Sequence, residues 1–467
     1  MKLTIQKILT LSLALLFLGC SSGRKETIPT DENGYVILSD EQVENIVRRS
    51  YQYVALYNVN NKFALKQGGW NTLQSDTELK DHTMREIARP NNDTFYMTAL
   101  LDLRAEPIIL DLPAFGSQYV SLMVTAYDHY VGVPKTTGHG DFEKPEKILF
   151  YSDRTKGYKG EEVIGVDMIY KTSGDFISAV LRVMPHANDP ERFNGIVEKI
   201  NAVKIQTLSE YRGEKPKASE EVAFPDVGNT DLDIFENNLL EVMQFIFNHI
   251  SFDPNDEMDQ KVLEAYKPLG IEPGGTYNPE VKIDGKRFRA VAEKIQKEYL
   301  GKLADPSLTK AMAPKMFKLK GLTDLETILT VSIIGPIGLP MEEAMYPNVT
   351  TKDGTLLNAL NDYMIKMTKD ELPPAQAFWS LTLYDKANGF FIPNDRKKYS
   401  VGENAGYKLN EDGGIEIYVA AEKPAGVPEE NWLPIKRKDE DIDLILRVYV
   451  PDLEKMKSWR MPKAEKL

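Results

Sequence analysis

The chain has 467 residues, 42% of them hydrophobic, and carries 57 basic and 70 acidic side chains for a formal net charge of −13. That length suggests two to four globular units, each long enough to bury a core. The acidic balance argues against a nucleic-acid partner, because such binding depends on clustered Lys and Arg. A single cysteine excludes an intrachain disulfide framework, and it excludes a metal centre held only by cysteines of this chain.

The single cysteine lies at the end of an export signal. Lys2 and Lys7 precede an apolar run over residues 8–18, which is too short to span a bilayer and is typical of a secretory signal. The run ends in the sequence LFLGC, which closes at Cys20 and resembles a bacterial lipobox. We therefore expect a signal peptide over 1–19, a lipid on Cys20 and a lipidated tether over 20–38. The alternative is an ordinary signal peptide with an incidental cysteine. Cleavage would remove both lysines and leave a net charge of −15.

The periodicity of the remaining chain predicts four segments. A capping box of Ser39 and Gln42 opens an N-terminal helical segment over 39–82. Short β-like runs broken by Pro, Gly and Asp predict a β-sandwich over 83–214. Three apolar stripes at helical spacing, over 235–250, 262–269 and 288–299, predict a helical subdomain over 225–319. Strands return over 320–467, where Asp412-Gly413 predicts a hairpin joining 407–409 to 415–419.

Motifs of known chemistry are mostly absent from the sequence. No phosphate-binding loop, dinucleotide glycine motif or His-Glu-x-x-His zinc motif occurs, so no cofactor is predicted. Asp128, His129 and His139 could hold a divalent ion if adjacent strands brought them together. The favoured interpretation is loop residues without a metal, because neighbouring side chains on a strand point to opposite faces. Stacking on sugar rings is open to the four tryptophans, although core packing is the commoner role of such residues: Trp70, Trp379, Trp432 and Trp459.

Two stretches resemble domains of unknown function. The first is ARPNNDTFY at 88–96, with Asp102 and a later Thr137-Gly138; it resembles DUF1254. The second is LPPAQAFWSLTLYD at 372–385, followed by NDRKKYS at 394–400 and NWLP at 431–434; it resembles DUF1214. The resemblance implies a mainly β fold with a helical insert. It implies an Ig-like β-sandwich first, a small α-helical subdomain, and a C-terminal jelly-roll-like β domain.

The family-like residues support two interpretations. Residues 91–94 follow Pro90, so a turn whose side chains cap backbone groups is favoured. The alternative is a ligand pocket in a cleft between the two β domains, a common place for a small ligand. Arg396 would suit a carboxylate or a sugar hydroxyl there, although a structural salt bridge is favoured. The ligand-binding candidates are Asn92, Asp93, Tyr96, Tyr127 and His129 on one wall, and Trp379, Tyr384, Arg396, Tyr399 and Trp432 on the other.

The sequence therefore predicts an exported, lipid-anchored protein of the bacterial cell envelope, in the periplasm or at the outer membrane. Its expected partners are the membrane, through the anchor, and a small molecule or glycan bound in the interdomain cleft, without nucleic acid. A hydrolase or lyase acting on a glycan or small organic acid in that cleft is the alternative. The sequence identifies no catalytic residue and gives no indication of oligomeric state.

Overall fold

The computed structural model describes residues 28–85, 88–303 and 305–467. The predicted signal peptide, Cys20 and the start of the predicted tether lie outside the described residues. Helices account for 29% and strands for 25% of the structure. Within the described ranges, no helix is both long enough and apolar enough to cross a membrane.

The long helix α1 (Asp40–Gln67) begins at the predicted capping box. The Ser39 hydroxyl accepts a hydrogen bond from the Gln42 N–H at 3.2 Å, and the Gln42 side chain accepts one from the Ser39 N–H at 2.8 Å. The helix ends where Gly68 adopts a left-handed φ of 89°, which a residue without a side chain does at little cost. Because other elements pack around it, α1 buries polar as well as apolar side chains.

The first β unit has nine strands and two helices. They are β1 (Thr72–Ser75), β2 (Phe95–Asp102), β3 (Ile108–Leu112), β4 (Val120–Ala126), β5 (Val131–Thr136), β6 (Glu146–Tyr151), β7 (Met168–Lys171), β8 (Phe176–Val183), α2 (Pro190–Ala202), β9 (Lys204–Thr207) and α3 (Leu208–Tyr211). One sheet has the order β1-β2-β8-β4-β5 and the other β7-β6-β3-β9. Residues of both sheets share one apolar core, in which Met97 and Leu101 of β2 meet Leu110 of β3.

A helical unit follows, with bounds α4 (Asp231–Asn237), α5 (Leu239–His249), α6 (Glu257–Tyr266), α7 (Gly285–Lys302), α8 (Pro306–Met312) and α9 (Leu325–Ile334). Its core includes apolar residues of α1, such as Val47 and Val54, and of the predicted stripes, such as Phe235 and Ile295. The segment that carries the second stripe ends at Gly270, which has a left-handed φ of 67°. The helices therefore form one packed unit around α1.

The second β unit comprises β10 (Ala344–Met345), β11 (Asn348–Val349), β12 (Leu357–Asn358), β13 (Tyr363–Met367), β14 (Ala375–Asp385), β15 (Ser400–Gly402), β16 (Ile415–Ala420), β17 (Trp432–Pro434), β18 (Asp441–Pro451), α10 (Leu453–Ser458) and β19 (Ala464–Lys466). One sheet runs β10-β18-β14-β15, with β11 and β12 also on β18, and the other runs β17-β16-β13-β19. Leu381 and Leu446 of the first sheet and Ile365 and Ile417 of the second lie in one apolar core. The predicted fold class is confirmed: along the chain, the helical unit lies between two sandwich-like β units.

The predicted hairpin before β16 is wrong. The turn itself forms, because the Gly413 N–H donates to the Asn410 carbonyl at 2.9 Å. Residues 407–409 are not a strand, and β16 pairs with β13 and β17 instead. The reason is a contact between residues distant in sequence: the Asn431 side chain bonds the Lys408 N–H and carbonyl at 2.8 Å each, which takes the backbone groups that a ladder would need.

The two β units meet through the sheet faces that are turned away from their cores. Tyr119 and Val180 of the first unit pack against Phe378 and Tyr449 of the second in one buried apolar cluster. The Phe378 and Tyr449 rings are stacked with centroids 4.1 Å apart. Because side chains alternate across a strand, each sheet uses one set of residues for its own core and the other set for this junction.

Candidate functional site

Polar side chains cross the junction face of the first β unit in one row. Tyr96 of β2 lies opposite Arg182 of β8, which in turn lies opposite Ser121 of β4. Thr136 of β5 continues the row beside Ser121. Arg182 is 4% exposed, so this row places a guanidinium group between the two β units.

The junction face of the second β unit presents a matching set. Ser380 of β14 lies opposite Arg447 of β18, and Phe378 lies opposite Tyr449. Arg447 is also 4% exposed. Its guanidinium donates to the Tyr384 hydroxyl at 2.6 Å. We call these polar residues of the two faces, with Asn91 and Asp93, the junction network: Asn91, Asp93, Tyr96, Arg182, Ser380, Tyr384, Arg447 and Tyr449.

The segment before β2 connects the two faces. The Tyr384 hydroxyl donates to the Pro90 carbonyl at 2.7 Å, and the Asn91 amide donates to the Tyr449 hydroxyl at 2.9 Å. The Ser380 hydroxyl donates to the Asp93 carboxylate at 2.5 Å. Burial raises the pKa of Asp93, against the opposing effects of Arg447 and Ser380. The other Asp93 oxygen is buried without a hydrogen-bond partner among the described residues.

An open cleft of about 280 Å³ lies beside this network, between the two β units. We call it the junction cleft; its lining residues are Gln118, His186, Asn188, Asp189 and Arg192 from the first unit, and Glu403 and Tyr407 from the second. The two walls are tied together by Asn404, whose amide donates to the Asn92 carbonyl at 3.2 Å and whose side-chain oxygen accepts from the Ala187 N–H at 2.9 Å.

Glu403 is the chemically distinctive residue of the junction cleft. It follows Gly402, which pairs with Ser380, and its carboxyl accepts a hydrogen bond from the Trp379 N–H at 2.9 Å. Burial raises the pKa of Glu403 to about 7, opposed by the Trp379 N–H and assisted by the nearby Asp93. A carboxyl group that titrates near neutrality in a cleft can donate or accept a proton at physiological pH.

The opposite wall presents a neutral imidazole beside a guanidinium group. His186 has a left-handed φ of 55°, and its Nε2 lies 3.1 Å from the Gln118 N–H donor and 2.9 Å from Arg192 Nη2. Because both neighbours are donors, Nε2 is the acceptor and Nδ1 carries the proton. Burial and the neighbouring Arg192 together lower the pKa of His186 to about 4. The imidazole of this wall is therefore uncharged at neutral pH.

The structure brings some of the sequence-predicted residues to the junction. Asn92, Asp93 and Tyr96 lie in or next to the junction network, and Trp379 holds Glu403 in place through its N–H. The Trp379 ring stacks on Tyr407, with centroids 5.5 Å apart. The turn that the sequence favours also forms here, because the Asn91 side chain accepts from the Asp93 N–H at 2.8 Å.

Tyr127 and His129 lie elsewhere, against the helical unit. The Tyr127 hydroxyl accepts from the Asn61 amide of α1 at 3.0 Å. His129 Nδ1 lies 2.9 Å from the Ser332 hydroxyl, and its Nε2 lies 2.8 Å from the Pro336 carbonyl. Burial lowers the pKa of His129 to about 4. These two residues serve the contact between sheet and helices.

The remaining candidates of the second unit form two separate groups. Tyr399 is buried, stacks on Phe391 and bonds His82 Nδ1 through its hydroxyl at 2.7 Å. Arg396 is an exposed side chain that pairs with Glu429, and its guanidinium lies 5.2 Å from the centroid of the Trp432 ring. The indole N–H of Trp432 donates to the Ala420 carbonyl at 2.9 Å. All three therefore have structural partners of their own.

The weak metal candidates are not gathered into a site. His139 is exposed on a short 3₁₀ turn, whereas His129 is occupied by Ser332 and Pro336. Burial raises the pKa of Asp128, with Lys320 acting in the opposite direction. Over the described ranges, no group of three or more His, Cys, Asp or Glu side chains is arranged to hold a metal ion.

A larger groove of about 740 Å³ runs between α1 and α6. Its lining includes charged side chains: the partly buried Arg48 pairs with Glu44 at 2.9 Å, and the exposed Lys261 pairs with Glu257. Such surface pairs are weak and solvated. The groove is larger than the junction cleft, but it lacks the buried polar side chains of the junction. The junction is therefore the better candidate for a functional site.

Comparison with known proteins assigns the two β units. The family model described as "Protein of unknown function (DUF1254)" matches residues 70–206, and "Protein of unknown function (DUF1214)" matches residues 343–453. The chain contains a DUF1254 domain followed by a DUF1214 domain. The junction network and the junction cleft therefore lie between these two domains, and the expectation from the sequence motifs is confirmed.

Two solved structures resemble this DUF1254–DUF1214 chain. The VPA0106 protein of Vibrio parahaemolyticus is 22% identical with a TM-score of 0.69, and the match covers 91% of this chain and 100% of that one. That likeness shows a common fold. An uncharacterized protein from Burkholderia cenocepacia is 13% identical with a TM-score of 0.39, over 91% of this chain and 93% of that one, a likeness too weak to compare folds. No curated protein matches the chain.

Sequence reasoning missed Arg182, Glu403, His186 and Arg192 as site residues. Arg182 stands in the apolar run AVLRVM, and Arg447 stands in a similar run, LILRVYV. A charged residue inside an otherwise apolar strand is unusual, because buried charges need compensating partners. That signal was present in the sequence. Glu403 and His186 lie on connections between strands and helices and carry no comparable signal.

Proposed function

We propose that this chain is an exported, lipid-anchored protein of the bacterial cell envelope that binds a small polar molecule, of about the size of one sugar ring, in the junction cleft. The observation that carries the proposal is the cleft itself, where two domains contribute hydrogen-bonding side chains to one cavity of about 280 Å³. Ligand sites are typically of this size or larger and lie often between domains.

The chemistry of the lining favours a polyhydroxylated ligand. Arg192 and the Asn188 amide supply donors, as does the Gln118 amide through the hydrogen that it does not give to the Ala377 carbonyl, and Tyr407 supplies a ring face and a hydroxyl. Protonated Glu403 donates a hydrogen bond, and its ionised form accepts one. A sugar or small polyol both donates and accepts at each hydroxyl, so it matches this mixed set better than a purely anionic or apolar molecule.

Direct titration tests the binding proposal. Glucose, galactose, N-acetylglucosamine and inositol are titrated into the purified chain at pH 6 by calorimetry, with Arg192→Gln as the test variant and the exposed Arg212→Gln as the matched control. We expect at least one compound to bind, a loss of tenfold or more in Arg192→Gln, and unchanged affinity in Arg212→Gln. Failure of all four compounds to bind, or an equal loss in both variants, would refute the proposal.

A second candidate is acid–base catalysis on a glycan or small organic acid, as a hydrolase or lyase. It is favoured by one observation, the Glu403 pKa of about 7. The test is turnover of nitrophenyl glycosides across pH 5–9. A rate that changes with an apparent pKa near 7, and that is lost in Glu403→Gln, would support catalysis; absence of turnover leaves binding alone.

The envelope location is supported by the export signal that ends at Cys20. A lipid on this residue would tether the folded domains to a membrane. A single acyl chain binds a membrane only marginally, so stable anchoring would need more than one chain. We expect Cys20→Ala to move the protein from the membrane fraction to the soluble fraction after cell disruption. Equal membrane association of Cys20→Ala and the unchanged protein would contradict the anchor.

A further inference from the structure

The junction network contains two buried arginines that lack ion-pair partners among the described residues. Among the described residues, neither Arg182 nor Arg447 has a carboxylate within 4.0 Å, although each is only 4% exposed. Arg447 donates to the Tyr384 hydroxyl at 2.6 Å and to the Arg89 carbonyl at 3.4 Å, but its Nη1 is buried with no hydrogen-bond partner in the described part of the chain. Removing a guanidinium group from water is unfavourable unless its charge and its donors are compensated.

Arg182 has few acceptors around it. Its two terminal nitrogens lie 3.8 and 3.9 Å from the Met123 sulfur, and its guanidinium carbon lies 5.2 Å from the centroid of the Tyr96 ring, whose hydroxyl also hydrogen-bonds to it. One phenol oxygen and a thioether sulfur do not satisfy the five N–H donors of a guanidinium group. An oxygen-bearing anion would satisfy the same donors with full opposite charge.

The two guanidinium groups act on one small region. The Asn91 amide lies 3.2 Å from the Tyr96 hydroxyl and 2.9 Å from the Tyr449 hydroxyl, so it joins the ring beneath Arg182 to the strand that carries Arg447. Burial raises the pKa of Tyr96, but Arg182, Asn91 and Arg447 together outweigh that effect and hold its pKa below the usual value. A buried phenol with a lowered pKa indicates a strongly positive local potential.

The nearby carboxyl groups act on the two arginines only through space: Asp93 interacts electrostatically with Arg447, and Glu343 with Arg182. One Asp93 oxygen accepts from Ser380 and the other has no partner among the described residues, whereas Glu343 accepts from Thr136 at 2.9 Å and from Tyr119 at 3.3 Å. Burial raises the pKa of both Asp93 and Glu343, which weakens them as permanent counter-charges. The positive charge of the two arginines is therefore incompletely balanced by the protein.

The region reaches solvent at Tyr346. This residue follows β10, whose Met345 lies opposite Val448, and it is 48% exposed. Burial raises the pKa of the Tyr346 hydroxyl to about 12, while Tyr96, Arg182 and Arg447 act on it from the interior. Tyr346 is therefore the partly exposed residue of the group that interacts with the two buried arginines.

We propose that Arg182 and Arg447, with the Asn91, Tyr96 and Tyr346 side chains, form an oxyanion-binding site for the carboxylate or phosphate group of a small ligand. Guanidinium groups bind either group through paired N–H donors, and tyrosine hydroxyls add further donors. The site is separate from the junction cleft and does not depend on the function proposed for that cleft.

Anion titration of the full chain tests this site. The midpoint of thermal unfolding is measured in Tris chloride at pH 7 with sodium phosphate or sodium acetate up to 50 mM, against sodium chloride at equal ionic strength. We expect phosphate, acetate or both to raise the midpoint progressively with concentration beyond the chloride control, because a ligand that binds the folded state stabilises it. The two anions separate phosphate from carboxylate recognition. Identical midpoints in all three salts would overturn the proposal.

Two variants locate the effect. Arg182→Met keeps the side-chain length and removes the charge, so we expect it to fold and to lose the anion-dependent rise. Tyr346→Phe removes one hydroxyl at the solvent side and should weaken the affinity for the anion at least threefold, whereas the matched control Tyr277→Phe should leave it unchanged. A rise in Arg182→Met or in Tyr346→Phe equal to that of the unchanged chain would place the anion elsewhere and refute the site.

Discussion

Replacing Glu403 by Gln should change the pH dependence of stability in a defined direction. The amide keeps the shape of the side chain, and its oxygen can still accept from the Trp379 N–H, which lies 2.9 Å from the carboxyl in the unchanged protein. What the variant loses is the ability to bind a proton. Its effect therefore isolates the ionisation of one group in the junction cleft.

The magnitude follows from the difference in pKa between the two states. The Glu403 pKa is raised from 4.5 to about 7 in the folded chain by burial. Between these values the unfolded chain has released its proton while the folded chain keeps it, so the free energy of unfolding falls as pH rises from 4.5 to 7. At about 1.36 kcal/mol for each pKa unit, the upper bound is about 3 kcal/mol. Because the side chain is partly open to solvent, we expect about 2 kcal/mol.

Urea denaturation at pH 5 and pH 8 measures this difference. The free energy of unfolding of Glu403→Gln, relative to the unchanged protein, should increase by about 2 kcal/mol between pH 5 and pH 8. Other titrating groups contribute equally to both proteins and cancel. The exposed Glu411→Gln is the matched control and should show no such trend. A constant difference across this pH range would refute the raised pKa and, with it, the proton-donating role assigned to Glu403.

Two further predictions concern His129, which contacts the helical unit, and Gly402, which precedes Glu403. Burial lowers the pKa of His129 to about 4, so the protein should lose up to about 3 kcal/mol as pH falls from 6.5 to 4, and His129→Gln should flatten that loss in the same urea assay. Gly402→Ala should destabilise the protein by about 2 kcal/mol or more and abolish the pH effect of Glu403, because the added Cβ would lie 2.7 Å from the Ser380 Cα. Gly301→Ala, with nothing within 4 Å of its added Cβ, should instead be neutral or stabilise α7 by about 0.5–1 kcal/mol. A steep acid loss in His129→Gln, or equal midpoints for Gly402→Ala and Gly301→Ala, would contradict these expectations.

Local rules predicted the elements that depend on local interactions. The Ser39–Gln42 capping box and the Asn91 turn both formed as expected, because each involves residues within a few positions of one another. The hairpin before β16 failed for the opposite reason. Asn431, which is distant in sequence, takes the backbone groups of Lys408 that the hairpin would have used.

The residues that meet at the junction could not be predicted from the sequence, because they are far apart along the chain. The DUF1254 and DUF1214 motifs include Asp93 and Trp379, which lie at the junction, but they gave no reason to place Tyr96 near Tyr449 or to bring Arg182 and Arg447 to the same junction. These pairs arise because each sheet turns its second face toward the other domain, and a polar residue on that face looks solvent-exposed from its periodicity alone. For Arg396 the sequence favoured a structural salt bridge over a ligand contact, and the side chain pairs with Glu429, a partner that the sequence did not identify.

The two buried arginines also bear on how the domains are held together. If the DUF1254 and DUF1214 faces needed only adhesion, apolar residues in place of Arg182 and Arg447 would serve at least as well, because replacing buried charges by hydrophobic residues is often neutral or stabilising. Asp93–Ser380, Asn91–Tyr449 and the stacked Phe378 and Tyr449 rings already join the faces. The arginines therefore add a cost that adhesion does not explain. An oxyanion that pairs with both would remove that cost and couple ligand binding to the stability of the junction, which is why the salt-specific unfolding midpoint is the most direct measurement of their role.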